Sequence, residues 1–229
     1  MTTLTATTLI VAGMALPAQA ASVNGKVMTA DGGSVPVRSG PNDKWTIMER
    51  RDSGSTVNIL CKTTGSTQTG YYGTTSTWYM IGAGGFMTAA RVKAVSTPPN
   101  CTYVGDPPRD NPRAVNGAIN WAFERLGSTA HEGLCLAFVR QAYGWSSSGW
   151  ATAEIGGDWI QSHGYMKSGV PPRGAVVWYH NSSGTGHVMI SLGEGKVIGT
   201  SVSGKVGIAN YTYRSGLRGW SKPYFPAAG

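Results

Sequence analysis

The chain of 229 residues is 41% hydrophobic and only 13% charged, with 33 Gly, 12 Pro, eight Trp, ten Tyr and three Cys. That length suits one or two domains with cores of their own, and so few charges beside so many aromatics exclude a disordered chain or a coiled coil. The net charge of +8 is spread along the sequence with no Lys/Arg run, so nucleic acid is not an expected partner. A diffuse positive field suits an anionic cell wall or membrane surface, and serves solubility equally well.

Residues 1–20, MTTLTATTLIVAGMALPAQA, hold an apolar run from Leu9 to Leu16 and an A-x-A pattern ending at Ala20. Although no basic residue precedes the run, the pattern predicts a secretory signal peptide cut after Ala20 and hence an extracellular or cell-wall location. No other stretch approaches the apolar length of a membrane span, so a soluble mature protein is expected.

From 21 to 97 short apolar pieces (SVPVRSGPN, STVNILCKT, STWYMIG, GGFMTAARVKAV) are separated by Gly, Pro, Ser and Asn. In Val35 to Arg38 and Val57 to Leu60 the apolar side chains recur every second residue, as in strands with one buried face. The order VPVRSGPN, GSTVNILCKT, TSTWYMIGAGGFMTAARV resembles a bacterial SH3-like domain. That resemblance implies a small all-β barrel that binds cell-wall peptides through aromatic side chains. Tyr71, Tyr72 and Trp78 are the expected wall-binding surface, Trp78 being the one that a strand position would sooner bury. The polar segment from Thr63 to Thr77 is expected as an exposed loop.

Residues 98–112 hold a cluster of prolines and read as an extended linker. Cys101 lies within it, and in an exported protein its most natural partner is Cys61, the nearest cysteine in sequence. Two free buried thiols are the alternative, and a link from Cys61 to Cys135 would overturn the assignment of the third cysteine.

The pattern changes again over 113–229. Ala114, Ile119, Trp121 to Phe123 and Leu126 predict a helix ended by Gly127, and GLCLAFVRQAYG predicts a second, mostly buried one with Cys135 in its first turn. Amides and the helix dipole at that position favour a thiolate, although a lone cysteine beside leucines is more often a packed core residue. A base is available downstream. PPRGAVVWYH reads as a buried strand, and GHVMISLGEGKVIGTSV as a hairpin that opens on His187. Together GLCLAFVRQAYG, PPRGAVVWYH and GHVMISLGEGKVIG resemble the papain-like cell-wall cysteine peptidases of the NlpC and CHAP groups. The resemblance implies an α+β domain with N-terminal helices packed on an antiparallel sheet, Cys135 as nucleophile and His187 as general base. It also implies cleavage of an amide bond in peptidoglycan.

Two positions depart from that pattern. Ala175 follows Gly174 where the family usually carries Asp, and Gly199 stands where a polar residue often orients the histidine. Hairpin geometry offers Ser201 with a three-residue loop or Thr200 with a two-residue turn, and Ser201 is preferred. Trp178 and His131 are the expected borders of the substrate groove, with core packing and surface hydrogen bonding as their alternatives. No metal-ligand spacing is present, so no metal and no cofactor are expected. The expectation is a secreted, monomeric peptidoglycan hydrolase. Its rivals are a non-catalytic wall-binding or inhibitory protein with a degenerate peptidase fold, and an acyl transferase.

Overall fold

Two antiparallel sheets divide the chain in the computed structural model, which describes residues 22–229. The expected leader, residues 1–20, lies outside the described residues. The first sheet contains β1 (Val23–Val27), β2 (Ser34–Arg38), β3 (Ile47–Asp52), β4 (Thr56–Gly70), β5 (Gly73–Ile81), β6 (Gly85–Thr88) and β7 (Val92–Ala94). Their order is β3-β2-β6-β5-β4-β1-β7. Alternation sets the buried face: Val35 and Val37 on β2, and Val57 and Ile59 on β4, meet Val27, Ile81, Met87 and Val92 in one apolar cluster.

The segment expected as a loop from Thr63 to Thr77 is instead the far half of the β4–β5 hairpin, paired Thr64 to Thr77 and Thr69 to Thr74. Its β-branched threonines suit a pleated strand, but they give no apolar alternation from which a strand could be read. The hairpin ends in a two-residue tip, Tyr71 and Tyr72, whose rings meet edge to face at 5.1 Å. Trp78 is a correction to the expected wall-binding surface. It is 2% exposed, packs with Cys61, Met80 and Phe86, and donates its indole N–H to the Ser66 carbonyl at 2.8 Å.

Cys61 and Cys101 form a disulfide, with Cα atoms 4.8 Å apart. The proline-rich segment has no helix and no long strand, yet it is docked along its length. Cys101 N–H donates to the Lys62 carbonyl, Val104 N–H to the Arg173 carbonyl, and Arg109 to the Ala228 carbonyl. Asn111 holds both the Trp145 indole and the Pro223 carbonyl.

Beyond it come α1 (Val115–Phe123), α2 (Cys135–Ala142) and α3 (Ala153–Ser162). The second sheet follows: β8 (Val176–Tyr179), β9 (His187–Gly193), β10 (Lys196–Val202), β11 (Lys205–Asn210) and β12 (Leu217–Ser221), in the order β11-β10-β9-β8-β12. Val176, Trp178, Val188, Ile190 and Ile198 share a core with Ile119, Phe138, Val139 and Ile160 of the helices. Val177, Tyr179, Met189 and Val197 are buried on the other face, which is why β8 reads as a continuous apolar run.

The sequence reading missed α3. Thr152 caps it, its hydroxyl accepting from Ile155 N–H at 3.2 Å. Gly156 and Gly157 obscure the helical pattern, and both are there for close approach. A Cβ on Gly156 would lie 2.9 Å from the Trp150 ring, and one on Gly157 would lie 2.6 Å from the Arg218 guanidinium.

The two sheets meet at Arg173, which is 1% exposed. Its guanidinium donates to the carbonyls of Ser39 at 2.7 Å and Gly84 at 3.1 Å in the first half. In the second half it donates to Leu192 at 3.2 Å and to Asn116 Oδ1 at 3.0 Å. Asn120 on α1 adds a second tie, its Oδ1 accepting from the Ser39 hydroxyl and the Thr46 amide.

Candidate active site

Cys135 opens α2, preceded by Gly133 at φ +75°, which turns the chain into the helix. No side chain caps this helix, so its first amides face the thiol: Leu136 N–H and its own N–H, joined by Val188 N–H from β9. Burial pushes the Cys135 thiol up, against the downward pull of these amides and of the Arg214 guanidinium. Cys135 is the free cysteine that the disulfide leaves over.

His187 opens β9 and is 4% exposed. Burial, with a smaller contribution from Arg214, pushes it down to about 4, so the imidazole is neutral at physiological pH and able to accept a proton. The loop leading to it is fixed by Asn181. Its Oδ1 accepts from the Thr185 and Gly186 amides, both at 3.0 Å, and its Nδ2 donates to Thr185 Oγ1 and the Gly186 carbonyl. Gly186 has φ +69°, and a Cβ there would lie 2.5 Å from the Glu154 backbone nitrogen. A glycine before the histidine is therefore a steric requirement of the site.

Cys135, His187, Ser201, Arg140, Trp150 and Arg214 are among the walls of one cavity of about 540 Å³. Two expected groove residues lie elsewhere. Trp178 is a correction: it is 1% exposed, donates to Ser221 Oγ at 2.9 Å, and sits behind Trp150, which is the aromatic that reaches the cavity. His131 does not line the cavity. It hydrogen-bonds Gln141 through Nε2 at 3.1 Å and packs between Trp121 and Phe138. Tyr71, 53% exposed, and Tyr72 stay on the surface at the hairpin tip. Of the remaining histidines, His180 meets Glu154 at 2.5 Å and His163 stacks on Trp159.

The β9–β10 turn has two residues, Glu194 and Gly195, both with positive φ, between paired Gly193 and Lys196. A bulge then shifts the register to Val197 opposite Ser191 and Ile198 opposite Ile190, the pairing of a three-residue loop. The paired register of β9 and β10 runs to Ile198 opposite Ile190, and beyond it Ser201 turns away at φ +60°. Its hydroxyl and amide both donate to Glu132, at 2.6 and 3.0 Å. Ser201 thus bonds to the loop before α2 instead of the histidine. Thr200 Oγ1 and His187 Nε2 are both buried without a hydrogen-bond partner among the described residues.

No protein-family model matches the chain. The uncharacterized proteins YraI and YraJ of Bacillus subtilis (strain 168) are 38% identical over 78 residues and 44% over 55. These stretches are 34% and 24% of this chain and span 62% and 47% of the two relatives, less than two thirds of either. Among solved structures, NlpC1 of Trichomonas vaginalis is similar with a TM-score of 0.37 and 13% identity, over 92% of this chain and 98% of that one. NlpC2 of the same organism gives 0.35 and 17%, over 91% and 73%. An NlpC/P60 family protein of Bacillus cereus ATCC 10987 gives 0.32 and 13%, over 90% and 64%. None reaches 0.5, and a functional reading rests on the chain's own residues.

Arg214 and Asn181 were not singled out in the sequence, whereas Trp150 reads there, with Trp145, Trp159 and Trp178, as core or groove wall, and it stands in the cavity wall. Asn181 carried a signal, an Asn four and five residues before the two amides it binds; Arg214, in the turn before β12, carried none. Among the described residues no group of three His, Cys, Asp or Glu side chains is placed to hold a metal ion, and no helix is long and apolar enough to cross a membrane.

Proposed function

We propose that this chain is an exported cysteine hydrolase that cuts an amide bond of peptidoglycan peptides. The observation that carries this is a thiol at a helix start and a neutral, buried histidine at a strand start, both opening on one cavity. Because the thiol is pushed up and the imidazole down, the resting pair is uncharged. His187 takes the Cys135 proton as sulfur attacks the carbonyl carbon, and returns it to the leaving amine as the thioester forms. Water, deprotonated by the same imidazole, then releases the acid. The Cys135 amide is well placed to meet the oxyanion.

In the same proposal residues 21–97 are an SH3-like domain that holds the wall, with Tyr71 and Tyr72 at its hairpin tip as contacts. Residues 98–112 are the connector and 113–229 the NlpC/CHAP-like catalytic domain. The disulfide is compatible with an oxidising, extracellular setting. Purified protein incubated with cell walls releases new amino groups, and Cys135→Ala abolishes the release; undiminished release by that variant rejects the proposal.

The unpartnered His187 Nε2 favours one rival, a wall-binding protein with an idle site. In that case Cys135 reacts with iodoacetamide at neutral pH no faster than an ordinary thiol, and walls stay intact.

A further inference from the structure

The cavity beside Cys135 carries an unbalanced charge. Two arginines, Arg140 and Arg214, are among its walls, and no Asp or Glu is. Arg140 is already engaged, donating to the carbonyls of Trp145 and Ser146. Arg214 is not bound in this way. Its hydrogen bond runs from Nε to the Tyr213 hydroxyl at 3.2 Å, and its guanidinium lies 5.7 Å from the centre of that ring. None of the ion pairs among the described residues includes it. The terminal nitrogens of a guanidinium form a planar fork matched to a carboxylate, and a half-buried cation without a counter-ion leaves that capacity unused.

We propose that Arg214 binds a carboxylate of the substrate next to the amide being cut, so that it selects anionic peptides. This rests on the hydrolase reading for the word substrate, but the cation and the cavity stand without it. The charge of Arg214 reaches both Cys135 and His187, so a carboxylate paired to it lies close to the reacting atoms. Pairing also neutralises a cation that opposes protonation of His187, which favours the imidazolium needed when the amine leaves.

The test uses Cys135 itself as reporter, with two alkylating agents of similar size, anionic iodoacetate and neutral iodoacetamide. In each, the thiolate sulfur displaces iodide and forms a C–S bond. The iodoacetate-to-iodoacetamide rate ratio is expected to fall roughly fivefold in Arg214→Gln and to be largely kept in Arg214→Lys. Any change in thiol acidity affects both reagents alike and cancels in the ratio. A ratio unchanged in Arg214→Gln overturns the proposal. With stem peptides as substrates, amidation at the C-terminus or at a side-chain carboxylate raises KM for whichever group Arg214 holds. That penalty disappears in Arg214→Gln, and no penalty from either amidation overturns the proposal. Walls that stay intact while the alkylation ratio responds would reject the hydrolase and leave the anion site standing.

Discussion

A histidine that is neutral because it is buried ties stability to pH in a definite direction. In the unfolded chain His187 titrates near its ordinary value of 6.5, and in the native protein at about 4. Between those values the unfolded state holds the extra proton. The contribution is therefore fully present above about 6.5 and is lost as pH falls towards 4, a swing of about 3 kcal/mol. Denaturant titrations at a series of pH values should show wild type losing more stability over that window than His187→Gln. Hydrolysis, if the proposal holds, keeps its acid limb near 4 rather than 6.5. The neighbouring Gly186→Ala must adopt φ +69° and drive a methyl to 2.5 Å from the Glu154 nitrogen. A loss of about 1–3 kcal/mol and of most activity is expected, read by thermal unfolding and wall digestion. At this scale the sequence was readable where residue type and position coincide, as with Cys135 at a helix start and His187 opening a strand. It was silent on Arg214, whose approach to the cavity depends on how β12 returns to the sheet.

Single elements show where pattern reading succeeds and where it slips. Helix α2 and strands β8 and β9 are legible because burial leaves a periodic or continuous apolar trace. Helix α3 and the outer β4–β5 hairpin are not, because two glycines serving ring and guanidinium packing break the first pattern and threonines mask the second. The turn after β9 depends on finer detail still. Its two-residue loop and bulge together decide which residue would face His187, and φ +60° at Ser201 sends that side chain to Glu132. The covalent link to the connector was readable from cysteine count and location alone. Joining residues separated by 40 positions, it restricts the unfolded chain by about 4 kcal/mol. Replacing Cys61 and Cys101 together by Ala should lower stability by about 2–4 kcal/mol in denaturant titrations, with the Cys135 alkylation rate little changed.

For the whole molecule the decisive residue is Arg173, in the PPRG segment before β8. Burial lowers it to about 10, so it remains charged at neutral pH, satisfied by carbonyls and an amide oxygen without a carboxylate. Arg173→Ala strips donors from three buried carbonyls and should cost about 3–5 kcal/mol. Calorimetry is expected to show one cooperative transition in wild type and a broadened or divided one in the variant. The sequence presents Arg173 as an ordinary basic residue next to two prolines, since nothing local tells that two sheets will close over it. Its clasp also bears on distance. On the proposed function, a cutter joined to its anchor by a loose tether would sweep a wide area of wall, whereas one riveted to it would cut at a fixed stride from where Tyr71 and Tyr72 take hold. Fragment lengths released from an ordered wall should then be narrowly distributed, and loosening Arg173 should blur them before it abolishes the cut.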